Sequence, residues 1–495
     1  MKSALASFIA ATFIILTLTA PQSVRSQDAP LQTKVRQDAL VARLERDIPQ
    51  LMREGDVPGL SIALIRGGEV VWHKGFGVKN AETKEPVDDR TIFEAASLSK
   101  PVFAYAVMKL VESGRLDLDT PLNKYLPGTY DVGDDARLEQ ITARRVLSHT
   151  TGFPNWRPRG ETGLRIYFTP GERFSYSGEG FVYLAKVVEH ITGEEFNAFM
   201  KRMVFEPLGM TSSSYVWRDE YDRLKIFTHN SIGVPLGQNK PAQANAAGSL
   251  HTTAQDYGRF VAAILKGTGL KKETHRLMLT PQIRVAAGGT NTINKAPDKL
   301  SDNISWGLGW GLQQTADGLS FWHWGDNGNT KAFIVAFDKQ QAGVVVFTNS
   351  ANGLSIMREV IGDALGGRQP SLAWLNYESY KSPARVLFKN ILAKGADAAL
   401  AEYREHRKGS TVVSEAQMNS LGYNLLGLKR TKDAIEVFRL NVEDYPQSFN
   451  AYDSLGEAYL LNGDKELAIK NYQRSVELNP KNTNGVDALK KLREQ

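Results

Sequence analysis

The sequence predicts an α+β domain, a mostly antiparallel sheet flanked by helices, followed by a second domain that is all α-helical. Three observations carry this. Short apolar runs pair around tight turns at residues 60–79 and again at 333–347, as strands do. Longer apolar runs stopped by glycine lie between them, as helices do. Beyond residue 380 the pattern changes to a recurrence of fixed spacing.

Residues 1–26 stand apart. Lys2 precedes an almost wholly apolar run from Leu5 to Leu18, then Pro21 and the small residues Ser23 and Ser26. This is the pattern of a secretory signal peptide. The run is short for a membrane span of about 20 residues, so a removed leader is expected rather than an anchor. A secreted or periplasmic protein with no later membrane span follows.

The first domain is expected over residues 35–368. Leu60 to Ile65 and Val70 to Phe76 form a hairpin around Gly67-Gly68. Val102 to Ser113 is a helix stopped by Gly114, and Gly180 to Ile191 one stopped by Gly193. Phe333 to Phe337 and Val344 to Phe347 are a second strand pair, and Ser355 to Leu365 a closing helix. Strands at both ends with helices inserted give the antiparallel α+β class. Gly307, Gly309 and Gly311, set among Trp306 and Trp310, read as strand and pocket lining.

The second domain is expected over residues 380–495. Leu421-Gly422 recurs as Leu455-Gly456, Ala434 as Ala468, Phe438 as Tyr472 and Pro446 as Pro480, each 34 residues on. That period and those residue types are the tetratricopeptide signature: small residues let two helices approach and large ones fill the gap. Two repeats are clear, and a degenerate half-repeat lies around Ala398 to His406. Such repeats need covered ends, so residues 480–495 and the first domain are expected to cap them. They offer a groove for a protein or peptide partner, or serve as a packing appendage.

Composition excludes several chemistries. The 495 residues contain no cysteine, which rules out disulfides, thiolate metal sites and a cysteine nucleophile. The net charge of +6 is scattered, so no nucleic-acid stripe is expected. The eight histidines show no metal-ligand spacing, and no phosphate loop, zinc-protease motif or G-x-S-x-G elbow is present. No metal and no cofactor are implied.

The chemistry-bearing residues form three groups. Ser97 and Lys100 are three apart at the head of a helix, so they share one face. Pro101 belongs to a first helical turn and fixes where that helix begins. The Ser97 N–H is then a free first-turn donor able to face an oxyanion. Apolar neighbours would desolvate Lys100 and lower its pKa, making it a base for the serine proton. The same pattern also suits a serine N-cap followed by a surface lysine. The second group is Phe174-Ser175-Tyr176-Ser177-Gly178, where Tyr176 could act as base or relay, or simply occupy a turn. The third is Trp322-His323-Trp324-Gly325-Asp326, where Gly325 would let a substrate approach the backbone; His323 could equally be a packed or surface histidine.

In this order the three motifs resemble the serine β-lactamase and penicillin-binding family, which reads S-x-x-K, then Y-x-N, then K-T-G or H-x-G. They are most similar to its class C β-lactamase, D-alanyl-D-alanine carboxypeptidase and esterase branch. Leu147 to Gly152, Pro207 to Thr211, Ala247 to Leu250 and Val345 to Asn349 also look like that branch. The resemblance covers about residues 40–366. It implies Ser97 as the acylated nucleophile, Lys100 as its proton acceptor, and Tyr176 as the group that protonates the leaving group or activates water. It implies an oxyanion hole from the N–H groups of Ser97 and Asp326, with His323 and Gly325 at the substrate, and leaves His149 structural. Whether Lys100 or Tyr176 takes the first proton stays open.

Two departures matter. Gly178 stands where the family often has Asn, so an amide that would hold the substrate is absent. His323 stands where lactamases often have Lys, and is expected to titrate near neutral pH and to bind a substrate carboxylate more tightly when charged, between about pH 5 and 8. The expected activity is acyl transfer through a Ser97 ester to water, on a D-amino-acid peptide, a small ester or a β-lactam. The competing expectation is a catalytically weak or inactive hydrolase fold that binds peptides or proteins through its repeats.

Overall fold

The computed structural model describes residues 31–494, apart from 33–34, 129, 159, 161 and 408–412. The expected signal peptide lies outside the described residues. Among the described residues no helix is long and apolar enough to cross a membrane.

One eight-stranded sheet organises the first domain. Its strands are β1 (Gly59–Arg66), β2 (Glu69–Gly77), β3 (Ile283–Ala286), β4 (Leu300–Trp306), β5 (Gly311–Thr315), β6 (Gly318–Asp326), β7 (Lys331–Phe337) and β8 (Ala342–Thr348). The order across the sheet is β2-β1-β8-β7-β6-β5-β4-β3, and every paired neighbour is antiparallel. The N-terminal hairpin therefore joins the C-terminal strands through β1 and β8, with Ile62 opposite Val346.

Alternation along these strands explains why both faces are covered. On β7, Ala332, Ile334 and Ala336 face one core, while Phe333, Val335 and Phe337 face the other. A strand apolar on both sides must be sandwiched. The first face carries α2 (Ser99–Glu112), α3 (Glu179–Thr192) and α4 (Ala254–Lys266). The second carries α1 (Gln37–Gly55), whose Leu40, Leu44, Ile48 and Leu51 form its buried stripe, and α5 (Met357–Ala364). The segment α6 (Pro370–Leu375) adds Trp374 to that face.

The glycine-tryptophan segment meets the expectation of strand at Gly311 but not at Gly307 and Gly309. β4 ends at Trp306 and β5 begins at Gly311, so residues 307–310 form the turn between them. Gly309 takes φ +85° there and fits directly against Ala104 of α2, so the glycine serves packing.

The C-terminal helices are α7 (Pro383–Lys394), α8 (Ala396–His406), α9 (Glu415–Gly427), α10 (Thr431–Asp444), α11 (Phe449–Asn462), α12 (Lys465–Leu478) and α13 (Thr483–Glu494). The 34-residue recurrence has a direct cause. The space a side chain at Gly422 would need is taken by the Phe438 ring, and that at Gly456 by the Tyr472 ring. Ala434 and Ala468 are fully buried beside them. Leu489 and Leu492 of α13 cover the exposed end of the last pair. The helices are tied to the first domain by Ser231, whose hydroxyl donates to Asn424 at 2.7 Å, and by Arg385 on Asn352.

Candidate active site

Ser97 lies in a short 3-10 turn, Ala96–Leu98, that runs into α2. Pro101 is the third residue of α2, where a missing N–H costs no helical bond. Ala96, just before the serine, holds φ +48°, a conformation costing an alanine about 1–2 kcal/mol. The surroundings enforce it. Ala95 N–H donates to Leu250 O at 2.8 Å, Ser99 Oγ bridges Ala96 O and Leu250 N–H, and the Tyr257 and Tyr215 hydroxyls donate to Leu98 O and Ser99 O. Ser97 itself is half-buried and reachable, and its N–H is a first-turn donor.

Lys100 is fully buried. Its Nζ donates to Ser97 Oγ at 3.1 Å and to Ala247 O at 2.7 Å. The rings of Tyr176, Phe181 and Trp156 lie 4.8, 5.7 and 6.0 Å from that nitrogen. Burial brings its pKa from 10.5 down to about 7. The surface-lysine reading is excluded by this placement.

The loop carrying Tyr176 is buried rather than open and polar. Ser175 N–H donates to His149 O, Tyr176 N–H to Thr290 O, Ser177 N–H to His149 Nδ1, and the Ser177 hydroxyl to Pro154 O. Burial pushes the Tyr176 phenol well above its ordinary pKa, with the Ser97 hydroxyl beside it pulling the other way. The phenol is therefore neutral at pH 7. His149 stacks on the Tyr176 ring at 4.2 Å, and burial first, then Lys100, keeps it uncharged. Because its Nδ1 accepts from Ser177, its proton sits on Nε2.

β6 supplies the third wall. Its pairing with β5 stops at Trp322 opposite Gly311, so His323 to Asp326 border β7 on one edge only. Asn327 N–H donates across to Thr330 O. Alternation along an antiparallel strand then turns the Asp326 N–H toward the open edge. A side chain at Gly325 would strike Ala95 O at 2.5 Å and Ala96 Cβ at 3.2 Å. The glycine thus makes room for the turn that bears Ser97, not for a substrate as the sequence suggested.

His323 corrects a second expectation. It is fully buried, its Nδ1 bonds Trp324 O at 2.8 Å, and burial, followed by Lys100, lowers its pKa from 6.5 to about 3. It does not titrate near neutral pH. Affinity for a carboxylate-bearing ligand is therefore expected to stay flat between pH 5.5 and 8 apart from the Lys100 transition, and His323→Gln should leave the same profile. A His323-dependent inflection near pH 6.5 in a binding titration contradicts this.

Gly178 also has a local reason. A side chain there would lie 2.7 Å from Asn155 O and 2.9 Å from the Trp156 ring. Trp156, 46 % exposed, occupies the space an asparagine would take. Gly178→Asn alone is expected to cost about 1–3 kcal/mol in thermal unfolding through overpacking, with partial recovery in the pair with Trp156→Ala.

Three residues escaped sequence reading. Trp156 lies in a loop with no chemical signature, and Ala247, although in a segment that resembles the family, gave no sign that its carbonyl accepts from Lys100. Tyr377, beyond the closing helix, donates its hydroxyl to Asp326 Oδ2 at 2.7 Å. Among the described residues no cluster of histidine and carboxylate groups could hold a metal ion.

The chain matches the β-lactamase family profile over residues 44–362 and the tetratricopeptide repeat profile over 449–482. It is 24% identical over 329 residues to protein flp of Staphylococcus aureus strain N315, covering 62% of each chain. It is 26% identical over 293 residues to penicillin-binding protein 4* of Bacillus subtilis strain 168, covering 52% of this chain and 60% of that one. The chain thus spans about six-tenths of the length of the curated relatives it matches. Among solved structures, the octameric penicillin-binding protein homologue from Pyrococcus abyssi superposes with TM-score 0.55 at 25% identity, over 72% of this chain and 81% of that one. A β-lactamase/D-alanine carboxypeptidase from Pseudomonas syringae gives 0.56 at 19% identity, over 66% and 98%, a likeness of fold.

Proposed function

This chain belongs to the β-lactamase family, and on that premise we propose that it is an exported serine hydrolase acting through a Ser97 acyl-enzyme. The observation that carries the reading is the 3.1 Å contact between Ser97 Oγ and a fully buried lysine whose pKa lies near 7.

Neutral Lys100 Nζ accepts the Ser97 proton as Oγ attacks the substrate carbonyl carbon. Negative charge collects on the carbonyl oxygen, held by the N–H groups of Ser97 and Asp326 and by the positive end of α2. The Tyr176 phenol gives a proton to the leaving group, and the Lys100 ammonium returns one to Tyr176. Water then attacks the ester carbon as neutral Lys100 Nζ accepts its proton, the bond from that carbon to Ser97 Oγ breaks, and Lys100 passes the proton to Ser97 Oγ. Of the two candidate bases, Lys100 is favoured, because the phenol's raised pKa keeps it a donor. His149, stacked beneath Tyr176, orients the ring.

The substrate is an ester or uncharged amide rather than a carboxylate-bearing peptide or β-lactam. Two observations support this: His323 is neutral, and the Asp326 carboxylate, paired with Lys331, borders the open edge of β6. Hydrolysis of p-nitrophenyl esters is expected to exceed that of nitrocefin or a D-Ala-D-Ala peptide by at least tenfold in kcat/KM. The reverse ranking overturns the substrate assignment. The N-terminal pattern supports export, tested by the N-terminal residue of the protein recovered from its natural host. The repeats support a protein or peptide partner.

A further inference from the structure

We infer that Tyr377, on the strap joining α6 to α7, forms the outer wall of the substrate cleft and limits the bulk of the group that Ser97 can accept. The inference rests on the acyl-enzyme reading above. Tyr377 lies past the 44–362 span of the family match, so the wall is supplied by the segment that leads into the repeats.

Three contacts place it there. The Tyr377 hydroxyl donates to Asp326 Oδ2 at 2.7 Å, on the residue whose N–H faces the open edge of β6. The Lys331 ammonium, itself paired with Asp326, lies 5.7 Å from the centre of the Tyr377 ring. The Trp324 side chain touches the same hydroxyl, and Trp324 in turn packs 4.7 Å from the Tyr176 ring. Yet Tyr377 remains 38 % exposed, so the side chain is not sealed into the core.

The strap is held at both ends. On one side Trp374 packs against Phe174, Trp322 and Trp324, and its indole N–H donates to Ala286 O at 2.7 Å. On the other, Glu378 accepts from Ser382 Oγ and from Gln417 Nε2 of α9, with Arg385 of α7 at 3.6 Å. A ring fixed from two directions is a rigid boundary rather than a loose flap. Its hydroxyl orients it and its ring supplies the bulk, so size selection depends on the ring.

The test uses the full chain and two fluorophosphonates that differ only in the bulk of the phosphorus substituent. The rates of Ser97 labelling are measured for wild type, Tyr377→Ala, Tyr377→Trp and Tyr377→Phe, and each is expressed as the bulky-to-small ratio. Tyr377→Ala is expected to raise that ratio at least fivefold and Tyr377→Trp to lower it. Tyr377→Phe, which keeps the ring, is expected to stay within twofold of wild type. If wild type is labelled at Ser97 but the Ala and Trp ratios both stay within twofold of it, the wall assignment is wrong while the acyl-enzyme reading stands. If wild type takes no label, the two fall together.

Discussion

Ser97→Ala is expected to lower turnover of any ester substrate by about 10⁴-fold or more and to abolish fluorophosphonate labelling. The size follows from the geometry. The hydroxyl lies 3.1 Å from Lys100 Nζ, beside the first-turn N–H groups at the head of α2. Removing a nucleophile that works as one unit with its base removes nearly all the rate the unit provides. Stability should change by no more than about 1 kcal/mol, since the Lys100 ammonium or amine keeps its bond to Ala247 O. A melting curve beside the labelling gel separates lost chemistry from lost fold. A variant that folds like wild type and still takes the label contradicts the nucleophile assignment.

Lys100→Met is expected to cost at least about 10³-fold in turnover while making the protein more stable. The first part follows because Ser97 loses its proton acceptor. The second follows from linkage. A lysine whose pKa falls from 10.5 to about 7 on folding makes the folded chain release a proton between those values. The unfolded state then binds more protons in that window, so stability rises with pH from about 7 to 10.5. Below pH 7 the penalty for holding the lysine in this cleft is present in full, on the order of 5 kcal/mol at about 1.4 kcal/mol per pKa unit. Loss of the donor to Ala247 O offsets about 1–3 kcal/mol of it. The net gain near pH 7 is about 2–4 kcal/mol, and the rise of stability with alkaline pH should flatten in the variant. Denaturant titrations at pH 7 and 9.5 read both. A variant that is destabilised at pH 7, or that keeps the wild-type slope, means that the lysine is charged and paired in the folded protein.

Much of the fold was legible because its signals are local. The β1–β2 hairpin is announced by Gly67-Gly68, α2 by Pro101 and Gly114, and the repeats by small residues set against Phe438 and Tyr472. The Ser97–Lys100 pairing was legible for the same reason, being three residues apart where a 3-10 turn runs into α2. His323 was misjudged because its type suggests a neutral-range pKa, whereas burial, invisible in the sequence, moves it to about 3. Gly325 was misjudged because the group that needs its space, the Ala95–Ala96 turn, is 230 residues away in the chain. Trp156 and Tyr377 carried no signal at all: a lone aromatic in a loop becomes part of a cleft only through long-range packing.

An uncharged, desolvated lysine activates Ser97 in this reading of the site. The most direct measurement is the rate of fluorophosphonate labelling of Ser97 in the wild-type chain across pH 5–10, with the labelled peptide located by mass spectrometry. The rate is expected to rise through a single inflection close to pH 7 and then level off. A rate that keeps climbing to pH 10, or a label on any other residue, contradicts this activation.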